Sequence, residues 1–119
     1  MISNTVLEQL HKSISGDVLF DNLHKTLYAT DASVYRKIPL AVAYPKNEKD
    51  LKTLIAFATQ NEITLIPRTA GTSLAGQCVG DGIIVDVSKH FTKIISFDET
   101  AKSIKLEPGI VRDSLNVYL

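Results

Sequence analysis

Apolar residues recur along this chain at two different spacings, and the changes from one spacing to the other mark out its elements. In "SNTVLEQLHKSISGD", Val6, Leu7, Leu10 and Ile14 return at helical intervals, with Ser3 or Asn4 placed to cap the start and Gly16 beyond the end. A first helix of about three turns is predicted there. "FDNLHKTLYA" gives a second, shorter helix capped by Asp21, with Leu23 and Leu27 on one face. "LAVAYP", bounded by Pro39 and Pro45, is a compact apolar run and reads as a strand. In "NEKDLKTLIAFATQNE", Leu51, Leu54, Ile55 and Ala58 follow a capping Asn47 at i, i+3, i+4 and i+7, which predicts a helix over 48–61 with those four residues buried. "ITLIP" is then a second strand. Strand, helix and strand in this order, with about sixteen residues between the strands, predict a right-handed parallel βαβ unit.

Beyond it, "GIIVDVS" reads as a third strand. "TKIISFDETAKSIKLEPG" holds two β-rich runs, Lys93 to Phe97 and Ser103 to Glu107, on either side of a polar turn, and predicts an antiparallel hairpin. "IVRDSLNVYL" restarts a helical pattern through Val111, Leu115 and Tyr118 or Leu119, then stops without a glycine, proline or charged ending. This reads as the amino-terminal piece of a longer protein. The fold class expected is α+β: a small parallel βαβ subdomain with amino-terminal helices over 1–80, followed over 81–119 by the start of a mostly antiparallel second subdomain.

Composition narrows the functions open to such a chain. Its 119 residues are 45% hydrophobic and 22% charged, enough for one core. Thirteen basic residues balance thirteen acidic ones, which is no footprint of a nucleic-acid or membrane-surface protein. No apolar run is long enough to span a membrane, and "MISNTVLEQLHK" lacks the basic flank and apolar core of a signal peptide, so a cytoplasmic setting is expected. Cys78 is the single cysteine, which rules out an internal disulfide or a cysteine-built metal site. Beside the loop it reads as a small buried hydrophobe. His11, His24 and His90 have no metal-ligand spacing and read as surface or helix-end residues, so no metal is assigned.

The candidate chemistry lies between the second and third strands, in "RTAGTSLAGQC". Ligands of open α/β sheets gather outside the carboxyl ends of strands, and a loop with little side-chain bulk lets several backbone N–H groups converge on an anion. Gly71, Gly76 and Ala70 keep the bulk low, while Thr69, Thr72 and Ser73 add hydroxyls. Two phosphate motifs are excluded by spacing. The glycines of "GTSLAGQC" are placed as in a Walker loop, but Gln77 and Cys78 stand where lysine and Ser/Thr are required, and the GxGxxG dinucleotide fingerprint is absent. From the residues alone, an anion-binding loop and a plain glycine-rich turn are both open.

"YATDASVYRKIPLAVAYPKNEKDLKTLIAFATQNEITLIPRTAGTSLAGQ" resembles the start of the FAD-binding domain of the p-cresol methylhydroxylase and vanillyl-alcohol oxidase type. Within that superfamily it is most similar to FAD-linked dehydrogenases of D-lactate and glycolate. The resemblance rests on Asp31, Ser33 and Tyr35, on Pro45 at the end of the first strand, and on the loop from Pro67 to Ser73; with "GIIVDVSKHFTKI" and "LEPGIVRDSLNVYL" it covers 28–119. It implies that backbone amides of Pro67, Arg68, Thr69, Ala70, Gly71, Thr72 and Ser73 form the FAD diphosphate loop, closed by Gly76 and Gln77. A lysine is then unnecessary, because amides and hydroxyls replace it. The family usually has glycine where Thr69 and Ala70 stand, and a Cβ in a left-handed conformation costs on the order of 1 kcal/mol. Either these positions have ordinary dihedrals or FAD is held less well. No histidine lies in the loop, so FAD is expected to be non-covalent in this segment.

Three further groups carry alternatives. Arg68 either faces the diphosphate or is a solvated residue pairing with Asp81 or Asp86. Asp31 and Tyr35 are expected to cap and pack the segment before the first strand rather than touch cofactor. Glu107, Pro108 and Gly109 lie next to the cofactor in the family pattern, and a strand-to-helix turn explains them equally. The function implied by the resemblance is the FAD-binding portion of an oxidoreductase that takes hydride from the α-carbon of a 2-hydroxy acid to flavin N5. No catalytic residue is assigned to this segment, because the base and the substrate clamp belong to a carboxyl-terminal substrate domain that it lacks. The alternatives are a stand-alone nucleotide- or anion-binding module without redox activity, and a flavin reductase of a nucleotide sugar on the same fold.

Overall fold

The computed structural model describes residues 2–119 and contains six strands and four helices in the order α1, β1, α2, β2, α3, β3, β4, β5, β6, α4. Helix α1 (Asn4–Ser13) begins at Ser3, whose hydroxyl accepts from the Val6 amide at 3.4 Å, and buries Leu7 and Leu10. Helix α2 (Asn22–Leu27) is capped by Asp21, as its sequence predicts, yet buries nothing. Leu23 and Leu27 are both more than half exposed, because this helix is too short to present a packed face.

Helix α3 (Glu48–Asn61) has the predicted bounds and the predicted cap, with the Asn47 side chain accepting from the Asp50 amide at 2.8 Å. Its core face is narrower than the periodicity implies. Leu54 and Ala58 are buried and Leu51 is half-buried, but Ile55 is 57% exposed, since it turns away from the sheet over an open groove. At its start Asp50 is buried, and its carboxylate accepts from the amides of Ser15 at 2.8 Å, Gly16 at 2.9 Å and Lys46 at 2.9 Å. One side chain therefore ties the end of α1, the approach to β1 and the exit of β2 together.

Strands β1 (Asp17–Leu19), β2 (Ala41–Tyr44), β3 (Leu65–Arg68) and β4 (Ile83–Asp86) form one sheet in the order β1-β2-β4-β3. β2, β4 and β3 are parallel, and β1 is added antiparallel to β2. The predicted βαβ unit is thus present, with β4 inserted between its two strands. Ala41, Ala43, Ile83 and Val85 join Leu7, Leu10 and Leu54 in the core, while Val42 and Ile84 are fully buried on the opposite face. Burial on both faces explains why these strands are continuous apolar runs.

β4 is central to the first sheet, so that sheet takes in residues beyond 80, and β5 and β6 form a separate two-stranded sheet. β5 (Ile94–Asp98) and β6 (Ser103–Leu106) form the predicted hairpin, with Lys102 in a left-handed conformation at its turn. Helix α4 (Arg112–Tyr118) closes the chain and buries no residue. No helix among residues 2–119 is long and apolar enough to cross a membrane.

Candidate functional site

The loop that leaves β3 starts where the ladder ends. Arg68 pairs with Asp86, the Val87 amide donates to the Arg68 carbonyl at 3.0 Å, and beyond that point the chain is free of strand pairing. Gly71 at φ +69° and Gly76 at φ +73° take the left-handed turns. Neither Thr69 nor Ala70 has a positive φ. Their Cβ atoms therefore impose none of the backbone strain that replacing glycine there raised as an alternative.

Ser73 and Gln77 close the loop on itself. The Ser73 hydroxyl accepts from the amides of Gln77 at 3.2 Å and Ala75 at 3.4 Å, and it donates to the Gln77 side-chain oxygen. Among the described residues nothing accepts from the amides of Thr69, Ala70, Gly71 or Thr72. Backbone donors left free in this way are what an anion-binding concavity requires. No helix follows the loop, so its donor set comes from the loop itself and not from a helix terminus.

The segment before β2 forms the loop's outer support. The Ala32 amide donates to the Gly71 carbonyl at 3.0 Å, and the Tyr35 ring lies so close to Gly76 that a Cβ there would meet its Cδ2 at 2.8 Å. Asp31 accepts from the Ser33 amide at 2.8 Å and from the Ser33 hydroxyl, and the Cys78 thiol donates to its other oxygen at 3.5 Å. Asp31 and Tyr35 thus pack and cap, as their positions in the sequence imply. Hydrogen bonds from Ser33 hold the Asp31 carboxyl below the usual carboxylate range, while burial and the Asp31 carboxylate push the Cys78 thiol up. Cys78 is buried and donates to a carboxylate, the surroundings of a structural cysteine.

Arg68 takes neither partner considered for it. Asp81 pairs with Lys37 at 3.5 Å, and Asp86 accepts from the Ser88 amide at 2.8 Å, the Ser88 hydroxyl at 2.6 Å and the Tyr28 hydroxyl. The arginine instead folds back, donating from Nη1 to the Thr30 carbonyl at 2.7 Å with its guanidinium 4.9 Å from the centre of the Tyr28 ring. Burial, followed by the bonds to Asp86 and Tyr44, raises the Tyr28 hydroxyl far above its ordinary range, so it acts as a fixed donor. Tyr28 and Thr30 carry no motif, and an aromatic just before the Asp31 segment was the one signal available for them.

Histidine placement differs in one case. His24 lies by Asp21 at 2.7 Å and His11 Nδ1 accepts from the Val18 amide at 2.9 Å, but His90 Nε2 is buried without a partner among the described residues. The turn that carries it closes against Gly109, whose missing Cβ would meet Ser88 Cα at 2.8 Å. Pro108 joins Leu54, Ile55, Pro67 and Val85 in lining an apolar groove of about 480 Å³ between α3 and the foot of the loop. Unpaired amides, glycines at both turns and short side chains fit one diphosphate group.

Comparison with known proteins identifies the family. Residues 39–119 match the family model described as FAD binding domain. The chain is 30% identical over 122 residues to D-2-hydroxyglutarate dehydrogenase of Escherichia coli (strain K12), covering 100% of this chain and 12% of that one. It is 31% identical over 115 residues to glycolate oxidase subunit GlcD of Bacillus subtilis (strain 168), covering 93% of this chain and 24% of that one. The structure of p-cresol methylhydroxylase with substrate bound superposes on 97% of this chain and 24% of its own with a TM-score of 0.75 at 16% identity, which is a likeness of fold.

Proposed function

This chain belongs to the FAD binding domain family, and from that membership we propose that it anchors the FAD diphosphate in a flavin-dependent oxidoreductase of 2-hydroxy acids. The observation that carries the proposal is the set of unengaged amides at Thr69 to Thr72, set between left-handed Gly71 and Gly76 at the carboxyl end of a parallel strand. Arg68 to Ser73 would hold the diphosphate, Pro67 ends the strand that delivers it, and Gly76 and Gln77 close the loop. With no histidine over 67–77, attachment in this segment is non-covalent.

Bound FAD supplies a hydride acceptor. The residues of this chain orient it and keep the loop rigid; the base and the substrate clamp are assigned to other parts of an enzyme of which this chain spans 12% in the Escherichia coli relative. A 2-hydroxy acid as substrate is supported by the names of two relatives, which act on 2-hydroxyglutarate and glycolate. The reading keeps two cofactor-binding subdomains, expected over 1–80 and 81–119, with the hairpin and α4 in the second. A cytoplasmic setting is part of the reading.

Gly71→Val tests the site. A side chain there meets the guanidinium of Arg68, 2.7 Å from its Cζ, in a conformation that valine resists. Titrating protein into FAD and following flavin fluorescence anisotropy should give a saturable rise for the wild type and none for the variant, with an unchanged circular dichroism spectrum. Equal binding by a folded Gly71→Val would reject the loop.

A further inference from the structure

Arg68 stands at the mouth of the proposed anion site yet turns inward. Its guanidinium is held by the Thr30 carbonyl and the Tyr28 ring, and it lies directly beneath Gly71. The nearby carboxylates are engaged elsewhere: Asp81 by Lys37, Asp31 by Ser33 and Cys78, and Asp86 by Tyr28 and Ser88. A full positive charge without a carboxylate partner among the described residues is therefore held against Gly71, in the loop whose amides are proposed to face an anion. The attraction of a guanidinium to an aromatic face adds to the hydrogen bond to Thr30 in fixing it.

We propose that Tyr28 is a positioning residue for the diphosphate, acting through Arg68. The ring keeps the arginine folded under Gly71, where its charge favours an anion on the amides of Thr69 to Thr72 while its bulk stays out of the anion's place. The role belongs to the ring and not to the hydroxyl. That hydroxyl is committed to Asp86 and Tyr44, a chain of bonds linking the ends of β2 and β4. The inference rests on the reading of the loop as the diphosphate site.

Pyrophosphate titrated into the 15N-labelled 119-residue chain, with the loop amides followed by NMR, tests both. In the wild type the amides of 69–73 should shift saturably. Tyr28→Phe keeps the ring and should stay within about twofold of wild-type affinity, whereas Tyr28→Leu and Arg68→Met should each weaken binding about tenfold. The double variant should be no weaker than Arg68→Met alone, because Tyr28 acts through the arginine. Unchanged β4 resonances show that the fold is intact.

Wild-type affinity in Tyr28→Leu, losses that add in the double variant, or a Tyr28→Phe as damaging as Tyr28→Leu would each overturn the role of the ring while leaving the anion site standing. Silent loop amides in the wild type would overturn the anion site itself. Should Tyr28→Leu fail to fold, Tyr28→Met takes its place: weakening of about tenfold in a folded Tyr28→Met supports the inference, and wild-type affinity refutes it.

Discussion

The β1–β4 sheet and the β5–β6 hairpin are built from similar apolar residues but treat them differently. In the sheet Val42, Ile83 and Ile84 are wholly inaccessible, whereas in the hairpin and α4 Ile95, Phe97 and Val117 are 55%, 48% and 88% exposed. Helices α1 and α3 cover one face of the sheet and the other is covered as well, while the hairpin has only itself and one short helix. A two-stranded hairpin is marginal by itself in water. It is joined to the exit of β4 by the Gly109 amide, which donates to the Phe91 carbonyl at 2.7 Å, and by the Phe91 amide, which donates to the Val87 carbonyl at 3.2 Å. Stability is therefore concentrated in the sheet, and the candidate loop is built on that region.

The largest expected effect falls on the sheet core. Leu54→Ala removes a fully buried side chain between α3 and the sheet and should cost about 2–5 kcal/mol in urea denaturation. A loss below about 0.5 kcal/mol would mean that the helix face is not core.

Asp50→Asn comes next. The amide side chain keeps one good acceptor, brings donors where three backbone amides already point, and should cost on the order of 1–3 kcal/mol. Burial works against the charge of Asp50, but the amides of Lys46, Ser15 and Gly16 outweigh it and hold the carboxyl below its ordinary 3.8. A group with a depressed folded pKa stabilises fully above its unfolded value and loses that contribution as pH falls through the folded one. Unfolding of the wild type measured from pH 6 downward should therefore steepen below about pH 4, and Asp50→Asn should flatten that arm. Parallel acid profiles in the two proteins would remove Asp50 from the account.

The smallest effect should come from the hairpin. Phe97→Ser, at a half-exposed position, should change the stability of the sheet by no more than about 0.5 kcal/mol. A cost approaching that of Leu54→Ala would erase the contrast between the two regions.

What could be read in advance follows the range of the interactions. Helix α3 was legible because Asn47 and the spacing of Leu51, Leu54 and Ala58 are local signals, and the hairpin because a polar turn separates two β-rich runs. Strand β1 was not, since three residues carry no pattern and exist as a strand only through pairing with β2. The insertion of β4 between β2 and β3 was equally hidden, because short apolar runs do not state their neighbours. Ile55 shares the helical period of its core neighbours, and only the position of the groove exposes it. In the site, the glycines and small residues marked the loop. The path of Arg68 did not show, because Thr30 and Tyr28 are distant in sequence and meet it only in the fold.

The most direct measurement is an amide-resolved NMR titration of FAD into the purified chain, with calorimetry on the same sample. The sheet carries the loop proposed to hold the diphosphate, but immobilising a long flexible ligand costs on the order of 4–15 kcal/mol, which a single phosphate site offsets only in part. The account predicts a colourless protein whose amides respond from Arg68 to Ser73, with saturation in the high micromolar range or weaker. Loop amides that stay silent at saturating FAD, or a yellow protein holding stoichiometric FAD at submicromolar affinity, would contradict it.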